Sequence, residues 1–264
     1  MAEILEEPLT SDCLGVGLLE TFLARVDNGM LRAPTLERHL DRLEKANLIF
    51  RSRHLSREEL RAQIAGYDIG GRWNEGEYLK VRIVLSSDRC RFQLAAIPDP
   101  FLPGLPIKVK PVHAERPYPD LKTCSTFVSW HANREAQESG FDEALLIDSG
   151  DTVREGAWSN FFWLNEANGL HTAGSMVLPG VTRDWVIQSC EQRGLRVSTG
   201  DFSLQHVTAN AKEAFVCSAL RGIVPVAAIG STELQENVSG LVAELRAAYI
   251  EQHFSAQNLR ERTR

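Results

Sequence analysis

The spacing of apolar and polar residues divides the first part of the chain into strands and helices. Residues 17–26 are rich in strand formers and lead into Asp27-Asn28-Gly29, and Asn-Gly is a strong hairpin signal because both turn positions tolerate a positive φ. Leucines recur at helical spacing in residues 35–50, which predicts an amphipathic helix. Ser56 and Glu59 form a capping-box pattern, which predicts the start of a second helix. Three further strands are predicted at residues 77–86, 90–97 and 106–112.

The second half of the chain alternates helices and strands more regularly. A helix predicted over residues 125–139 ends at Gly140, because glycine commonly terminates helices. Residues 178–197 predict a turn, a helix, a glycine stop and a strand. The other predicted elements are strands at residues 143–148, 160–164, 214–217 and 223–229 and helices at residues 202–209 and 241–253.

Prolines mark the predicted boundary between two lobes. Residues 114–121 contain Pro117 and Pro119, and proline restricts both itself and the residue before it, which favours an extended connector. We therefore predict an α+β or α/β chain in two lobes. The predicted divisions are a smaller N-terminal α/β lobe at residues 1–113, the connector at residues 114–121 and a larger C-terminal lobe at residues 122–264.

Composition narrows the class of protein without indicating a function. The 264 residues are 43% hydrophobic and 24% charged, as in soluble globular proteins, and the net charge of −6 gives no sign of a nucleic-acid-binding surface. The five cysteines are widely spaced, which argues against a zinc site or a disulfide framework. Residues 1–12 lack the basic and apolar regions of a signal peptide, and no apolar run approaches the ~20 residues of a membrane span. We expect a reduced, cytoplasmic protein that binds no metal, membrane or nucleic acid.

Lys122 is the first candidate for chemistry. The chain has only six lysines, and Lys122 follows the proline connector at the start of an apolar stretch. A lysine at a lobe junction is well placed for a cleft, where desolvation lowers the pKa of the amine and makes it a nucleophile. Taken alone, a solvated surface lysine is the more common interpretation.

Two further motifs fit the binding of a phosphorylated ring. Glu155 precedes small and hydrogen-bonding residues, and a pyridoxal-phosphate (PLP) ring needs an acidic partner at its pyridine nitrogen. Residues 178–183 form a turn that opens into a helix, whose first N–H groups favour phosphate. Arg42 could add a fixed cation. Each signal is weak by itself, since a turn glutamate, an ordinary helix start and an outward-facing arginine explain the same residues.

The fourth motif is a break between two strands, at residues 217–226. The backbone N–H groups of such a break can hold phosphate or carboxylate. Arg221 lies in the break and could bind a substrate carboxylate. An outward-facing loop arginine is the alternative.

In this order, the motifs resemble those of the class IV aminotransferases. These are PLP enzymes of fold type IV and include branched-chain and D-amino-acid aminotransferases and 4-amino-4-deoxychorismate lyase. The resemblance runs from about residue 17 to residue 229. It is carried by Gly17 with Glu20-Thr21, His39-Leu40-Asp41-Arg42-Leu43, Lys122-Thr123, Gly140-Phe141-Asp142-Glu143-Ala144, Glu155-Gly156 with Ser159-Asn160-Phe161, Leu178-Pro179-Gly180-Val181-Thr182-Arg183, and Ala219-Leu220-Arg221-Gly222 with Pro225-Val226.

The resemblance implies PLP in a cleft between two lobes, held mainly by the C-terminal lobe, within a homodimer. Lys122 would carry the cofactor as a Schiff base and move protons, and Glu155 would partner the pyridine nitrogen. The residues implied at the phosphate are Arg42, Val181, Thr182, Ser218 and Ala219. The residues implied at the substrate carboxylate are Ala219, Leu220 and Arg221.

The sequence departs from the family pattern beside the lysine and at the phosphate. Residues 125–127 are Ser-Thr-Phe, so a tyrosine hydroxyl common in the family is missing, and residue 219 is alanine where a hydroxyl residue is frequent. Three functions stay open: transfer of an amino group between an amino acid and a 2-keto acid, release of pyruvate and 4-aminobenzoate from aminodeoxychorismate, and catalytically silent PLP binding. No single residue separates the first two, and the substrate and its stereochemistry are open.

Overall fold

The structure, a computed structural model, describes residues 3–5, 16–87, 89–102, 106–167, 169–235 and 239–255. These residues form two units. Unit 1 contains the described residues within Met1–Leu102, Leu121–Ser125 and Tyr249–Arg264, and unit 2 contains those within Pro103–Asp120 and Thr126–Ala248. Cys13 and most of the segment used for the signal-peptide expectation lie outside the described residues.

Unit 1 is built on a five-stranded sheet with the order β1-β5-β4-β2-β3. Strand β1 runs parallel to β5, and the other neighbours are antiparallel. Asn28 and Gly29 connect β2 and β3 with φ values of 51° and 69°, so the predicted hairpin turn is confirmed. The strands are β1 (Glu3–Leu5), β2 (Leu18–Asp27), β3 (Met30–Arg32), β4 (Tyr78–Leu85) and β5 (Cys90–Ile97).

Two helices belong to unit 1 as predicted, α1 (Leu36–Phe50) and α2 (Arg57–Ala65). The Ser56 hydroxyl accepts a hydrogen bond from the Glu59 N–H at 3.2 Å, which is the predicted N-cap of α2. Helix α1 packs against β2, and the Phe22 ring lies 4.9 Å from the His39 ring. The face of the sheet that carries Phe22 therefore faces α1.

A short segment that contains Lys122 is hydrogen-bonded to the beginning of β2. The Leu19 N–H donates to the Lys122 carbonyl at 2.8 Å, and the Cys124 N–H donates to the Gly17 carbonyl at 2.9 Å. A Cβ on Gly17 would lie only 2.8 Å from the Leu85 carbonyl oxygen, so this close approach of three backbone segments needs glycine. Residues 121–125 group with unit 1 for this reason.

Unit 2 is built on a nine-stranded, curled sheet with the order β11-β10-β9-β12-β13-β6-β7-β8, and β14 pairs with β13. Its strands are β6 (Ile107–His113), β7 (Glu143–Ile147), β8 (Val153–Gly156), β9 (Asn160–Leu164), β10 (Leu170–Ala173), β11 (Val197–Gly200), β12 (Glu213–Ser218), β13 (Gly222–Ile229) and β14 (Thr232–Glu233). Its helices are α3 (Phe127–Glu138), α4 (Val181–Gln192) and α5 (Leu204–Asn210). A sixth helix, α6 (Leu241–Phe254), contributes residues to both units.

The observed grouping differs from the predicted division in three places. Strand β6 lies between β13 and β7 in the sheet of unit 2, although residues 1–113 were predicted to form the N-terminal lobe. Residues 121–125 and the end of α6 group with unit 1. Contacts between residues far apart in sequence decide which unit a segment joins. The alternation of apolar and polar residues within one strand does not reveal which strands it will pair with.

Strands β1, β8, β10 and β14 were not predicted, because two to four residues offer too few positions to show alternation. The four described cysteines, Cys90, Cys124, Cys190 and Cys217, are free thiols. Within the described residues, no helix has the length and the apolar character that a membrane crossing requires.

Candidate active site

In unit 1, a buried carboxylate joins two of the motif residues. Glu20, on β2, is 1% exposed. Its two oxygens accept hydrogen bonds from Arg42 Nε at 2.8 Å and Arg42 Nη2 at 2.6 Å, and His39 Nδ1 lies 2.7 Å from Oε2. His39 and Arg42 lie three residues apart on α1, so both reach the same carboxylate from one face of the helix.

The protonation states of this cluster follow from its burial and its charges. Burial raises the pKa of Glu20, but the charge and hydrogen bonds of Arg42 and His39 outweigh that effect and lower the pKa to about 2. Burial lowers the pKa of His39, and the charges of Arg42 and Lys122 lower it further against the opposing effect of Glu20. At neutral pH the cluster therefore holds an ionised Glu20, a cationic Arg42 and a neutral His39.

The neutral His39 ring has its donor on Nδ1, because that nitrogen faces the Glu20 carboxylate. Its other nitrogen, Nε2, is buried and has no hydrogen-bond partner within the described residues. Lys122 is half-buried, and its charge acts on His39, so the lysine belongs to the same electrostatic environment as the Glu20–His39–Arg42 cluster.

In unit 2, Glu155 is a second buried carboxylate, 4% exposed. It lies on β8, so its interpretation as a turn residue is wrong. Its Oε2 accepts hydrogen bonds from the Leu178 N–H at 3.0 Å and from Asn160 Nδ2 at 3.2 Å, and Arg116 Nε lies 3.3 Å from Oε1. An arginine and two hydrogen-bond donors therefore surround the carboxylate and fix its position.

The helix start next to Glu155 is the predicted one. Gly180 is the N-cap of α4, and no side chain caps this end. A Cβ on Gly180 would collide with Asn160 Oδ1, so only glycine allows the turn to lie against Asn160. Val181 and Thr182, the first residues of α4, are 9% and 2% exposed. The helix start thus presents backbone N–H groups, with their positive dipole, beside a buried carboxylate.

Residues 219–221 form the turn between β12 and β13, in which Ser218 pairs with Gly222. Cys217, just before the turn, pairs with Asn160 on β9. Because Asn160 also hydrogen-bonds to the Leu178 carbonyl at 2.9 Å, this turn and the start of α4 lie at the same edge of the sheet. The structure therefore brings the unit 2 candidates together, and Asn160 connects them.

Arg221 is held by a carboxylate of its own. Its Nη2 donates to Glu143 Oε2, and Glu143 is 1% exposed. The other Glu143 oxygen accepts hydrogen bonds from the Trp158 N–H at 2.9 Å and the Ser159 hydroxyl at 2.7 Å. Arg221 is therefore charge-balanced within unit 2, and its binding of a substrate carboxylate stays a prediction.

The sequence interpretation assigned no site role to four residues that organise the candidates: Glu20, His39, Glu143 and Asn160. All four stand inside the motifs that carry the family resemblance. Their presence in those motifs was a usable signal. Most of their partners were not readable, since the contacts of Glu20 with His39, of Asn160 with Leu178 and of Glu143 with Arg221 join residues that are distant in sequence.

Comparison with known proteins decides the family. The family model described as amino-transferase class IV matches residues 17–229. The chain belongs to this family. It is accordingly an enzyme of a PLP-dependent family, and the predicted resemblance is confirmed over the same residues.

Curated relatives of this class IV aminotransferase-family chain include both reaction types. The D-alanine aminotransferase of Bacillus licheniformis is 27% identical over 242 residues, 86% of this chain and 83% of that protein. The aminodeoxychorismate lyase of Vibrio harveyi is 28% identical over 106 residues, 39% of this chain and 38% of that protein.

Solved structures confirm the predicted fold type IV architecture of the class IV chain. The branched-chain aminotransferase of Escherichia coli matches with a TM-score of 0.77 at 18% identity, covering 96% of this chain and 90% of that one. The branched-chain aminotransferase of Thermoproteus uzoniensis with norvaline matches with a TM-score of 0.75 at 22% identity, covering 92% and 86%. At these identities the likeness concerns the fold alone.

The residues of this class IV chain fit the chemistry of PLP. A buried carboxylate suits the protonated pyridine nitrogen, and a helix start without a side-chain cap suits the phosphate. Gly180 allows the turn before this helix start to lie directly against Asn160, because a Cβ there would collide with Asn160 Oδ1. A half-buried lysine supplies the amine.

Proposed function

We propose that this chain is an aminotransferase that moves an amino group between an amino acid and a 2-keto acid, with PLP attached to the Lys122 amine. The observation that carries the proposal is the buried Glu155 carboxylate beside the start of α4, in a chain whose class IV match includes Lys122. Together they provide an amine, an acidic partner and a phosphate site. Bound PLP supplies an electron sink for the substrate α-carbon.

Each residue then has a defined task. The Lys122 amine moves a proton at the substrate α-carbon as general base and acid. Glu155 would hydrogen-bond to the pyridine nitrogen and favour its protonated form, and the Leu178 N–H and the Asn160 amide hold the carboxylate in place. Arg42 contributes a cation to the phosphate, oriented by its two hydrogen bonds to Glu20.

Backbone N–H groups complete the proposed site. Those of Val181 and Thr182 at the start of α4 bind the phosphate, together with Ser218 and Ala219 in the β12–β13 turn. Leu220 and Arg221 bind the substrate carboxylate from the same turn. The alanine at position 219 leaves its N–H group available and removes only a side-chain hydroxyl.

Release of pyruvate and 4-aminobenzoate from aminodeoxychorismate is the alternative, supported by the relative from Vibrio harveyi. The same lysine serves both reactions. A catalytically silent PLP-binding protein is a weaker alternative, because Arg42, Lys122 and Glu155 are all retained.

The test begins with the purified protein and added PLP. Its absorption spectrum is recorded before and after borohydride reduction, and the reduced adduct is located by peptide mass. We expect an adduct on Lys122, and we expect Lys122→Ala to lose it while Lys45→Ala keeps it. An adduct on another lysine, or none, contradicts the proposal.

A panel of L- and D-amino acids then separates the two reactions. Conversion of the bound cofactor to its amine form by an amino acid supports the aminotransferase. No conversion by any of them, with pyruvate released from aminodeoxychorismate, supports the lyase. The homodimer and the cytoplasmic location are also proposals, for which light scattering and cell fractionation are the measurements.

A further inference from the structure

A cleft in unit 2 lies between helix α3 and Trp158, the second residue after β8. Its volume is about 540 Å³, within the roughly 300–1,000 Å³ of small-molecule sites. The helix residues that line it are three or four positions apart and so share one face of α3. The lining residues are Trp130, Asn133, Arg134, Gln137, Glu138 and Trp158.

Trp130 forms one aromatic wall of the cleft. Its ring centroid lies 5.8 Å from that of Phe127, and the Arg134 guanidinium lies 5.5 Å from it on the next turn of the helix. Arg134 Nε also donates a hydrogen bond to Glu138 at 2.8 Å. Contacts within α3 therefore hold the indole in place, although Trp130 stays 47% exposed.

Trp158 forms the opposite wall, and a buried carboxylate anchors its backbone. The Trp158 N–H donates to Glu143 Oε1 at 2.9 Å, and the Ser159 hydroxyl donates to the same oxygen at 2.7 Å. Trp158 is nevertheless 46% exposed. The cleft thus has two aromatic walls that are both positioned before any ligand binds.

The exposed aromatic surface favours a ligand that is itself aromatic. Phe127 is 67% exposed and continues the apolar surface of Trp130. Contiguous apolar patches of this kind mark interaction sites, because covering them removes apolar area from water. A ring in the cleft would gain, in addition, the stacked or edge-to-face contacts that aromatic pairs prefer.

The polar residues of the cleft fit an uncharged ring. The charge of Arg134 is balanced by Glu138, so the pair offers no counter-charge to an anion or a cation. The amides of Asn133 and Gln137 supply hydrogen-bonding groups at the same face of α3. The occupant that matches this lining is an aromatic ring without a charge of its own.

The cleft adjoins the turn between β12 and β13. Glu143 binds the Trp158 N–H through one oxygen and Arg221 through the other. Arg221 lies in the turn to which the proposed function assigns the substrate carboxylate. A substrate whose carboxylate binds at this turn can therefore place its side chain against Trp158.

We propose that the cleft between Trp130 and Trp158 binds an aromatic ring in the side chain of the substrate, so that the enzyme acts on aromatic amino acids or their keto acids. The assignment of the ring to a substrate rests on the proposed function. The ring site itself rests on the geometry of unit 2 alone.

Binding is tested with two unreactive acids of equal chain length. Phenylpropionate carries an aromatic ring and cyclohexylpropionate a saturated one, and calorimetric titration of the protein with added PLP compares them. We expect phenylpropionate to bind more tightly, and Trp130→Leu and Trp158→Leu each to weaken it about three- to tenfold, as loss of an aromatic pair predicts. Cyclohexylpropionate should lose less. The control Trp73→Leu removes a half-buried indole from unit 1 and should change neither affinity.

A conservative variant excludes a purely structural role. Trp130→Phe keeps an aromatic face and should retain most of the affinity for phenylpropionate that Trp130→Leu loses. Equal affinities for the two acids overturn the proposal, as does unchanged phenylpropionate binding in both leucine variants. If Trp130→Leu does not fold, Trp158→Leu decides, since it changes an exposed side chain on the other wall of the cleft.

Two other occupants would give different results. If the cleft were covered by a second copy of the chain, Trp130→Leu or Trp158→Leu would lower the mass measured by light scattering. That result overturns the proposal, which expects the mass to stay unchanged. Binding of 4-aminobenzoate without binding of phenylpropionate would assign the cleft to the product of the lyase reaction and likewise overturn it.

Turnover separates this proposal from the proposed function. With a transaminase, Trp158→Leu should lower kcat/KM for aromatic amino acids and spare short aliphatic ones. Selective phenylpropionate binding without any adduct on Lys122 would retain the ring site and contradict the aminotransferase. An adduct on Lys122 without selectivity for the aromatic acid would do the reverse.

Discussion

The two faces of the unit 1 sheet differ in whether their charged side chains have partners of opposite charge. On the face toward α1, Glu20 binds Arg42 through two hydrogen bonds and also contacts His39. On the opposite face, Lys80 and Arg82 have no acidic partner among the described residues. Both faces are made from the same three long strands, so the strand geometry does not cause the difference.

The difference indicates what each set of charges does. A closed network of paired groups keeps its side chains in one arrangement, as the positioning of a cofactor ligand requires. Two like charges at half-buried positions without acidic partners instead cost free energy on folding, because part of their hydration is lost. The paired face is therefore suited to positioning, whereas no acidic group among the described residues holds the two cations of the opposite face.

The largest expected effect is that of removing Arg42. Arg42→Met leaves the Glu20 carboxylate buried with His39 as its only remaining named partner, so we expect a loss of about 3 kcal/mol or more in unfolding free energy. Urea unfolding of the cofactor-free protein, followed by circular dichroism, measures it. Arg82→Met is the matched comparison and should lose nothing. Equal losses in the two variants would remove the distinction between the faces.

Glu20→Gln should have a smaller effect. The amide keeps the shape of the carboxylate and can still hydrogen-bond to Arg42 and His39, but it leaves the Arg42 charge uncompensated, at a cost of about 1–3 kcal/mol. Glu37→Gln provides the control, because Glu37 pairs with Arg57 and Arg61 at an exposed position and such pairs contribute less than about 1 kcal/mol. If urea unfolding showed equal losses of stability in the two variants, the buried Glu20 network would contribute no more to stability than the exposed Glu37 pairs.

The smallest expected effect is the contribution of His39 to the pH dependence of stability. The folded state holds the pKa of His39 below its usual 6.5 and that of Glu20 at about 2, below its usual 4.5. Both groups bind protons more readily in the unfolded chain, so stability falls as the pH decreases below 6.5, through His39 first, and again between 4.5 and about 2 through Glu20.

The His39 contribution is isolated by comparing variants. Unfolding free energies measured between about pH 7 and pH 5, the range in which histidine titrates, should decline less in His39→Gln than in the original protein. The exposed His54→Gln should decline as the original does. A His39→Gln curve parallel to that of the original protein would mean that His39 does not titrate differently in the two states.

Local chemistry explains which parts of the fold were predictable. The Asn28-Gly29 turn needs two residues that tolerate a positive φ, the Ser56 hydroxyl caps its own helix, and Gly140 ends α3 with a φ of 82°. Each signal acts within a few residues. The sheet membership of β6 depends instead on pairing with β7 and β13, and nothing within residues 107–113 encodes it.

The residues of the candidate site likewise fall into those that local motifs predicted and those whose role only the structure revealed. The motif order makes Lys122, Glu155, Val181 and Thr182 the candidate site residues, because residue types and spacings typical of the class IV family recur within short segments. Asn160 hydrogen-bonds to Glu155 and to the Leu178 carbonyl just before α4. It stood within a recognised motif, but nothing in the sequence indicated this role.

The sequence by itself determined the family, the start and end of most helices, and the short list of candidate residues for the chemistry. These depend on side-chain type and local backbone preference. Only the tertiary structure decided that Arg42 is paired with Glu20, whereas Arg82 has no partner among the described residues. An arginine has the same charge on either face of a strand, and the partners that settle its role are brought to it by the pairing of distant segments.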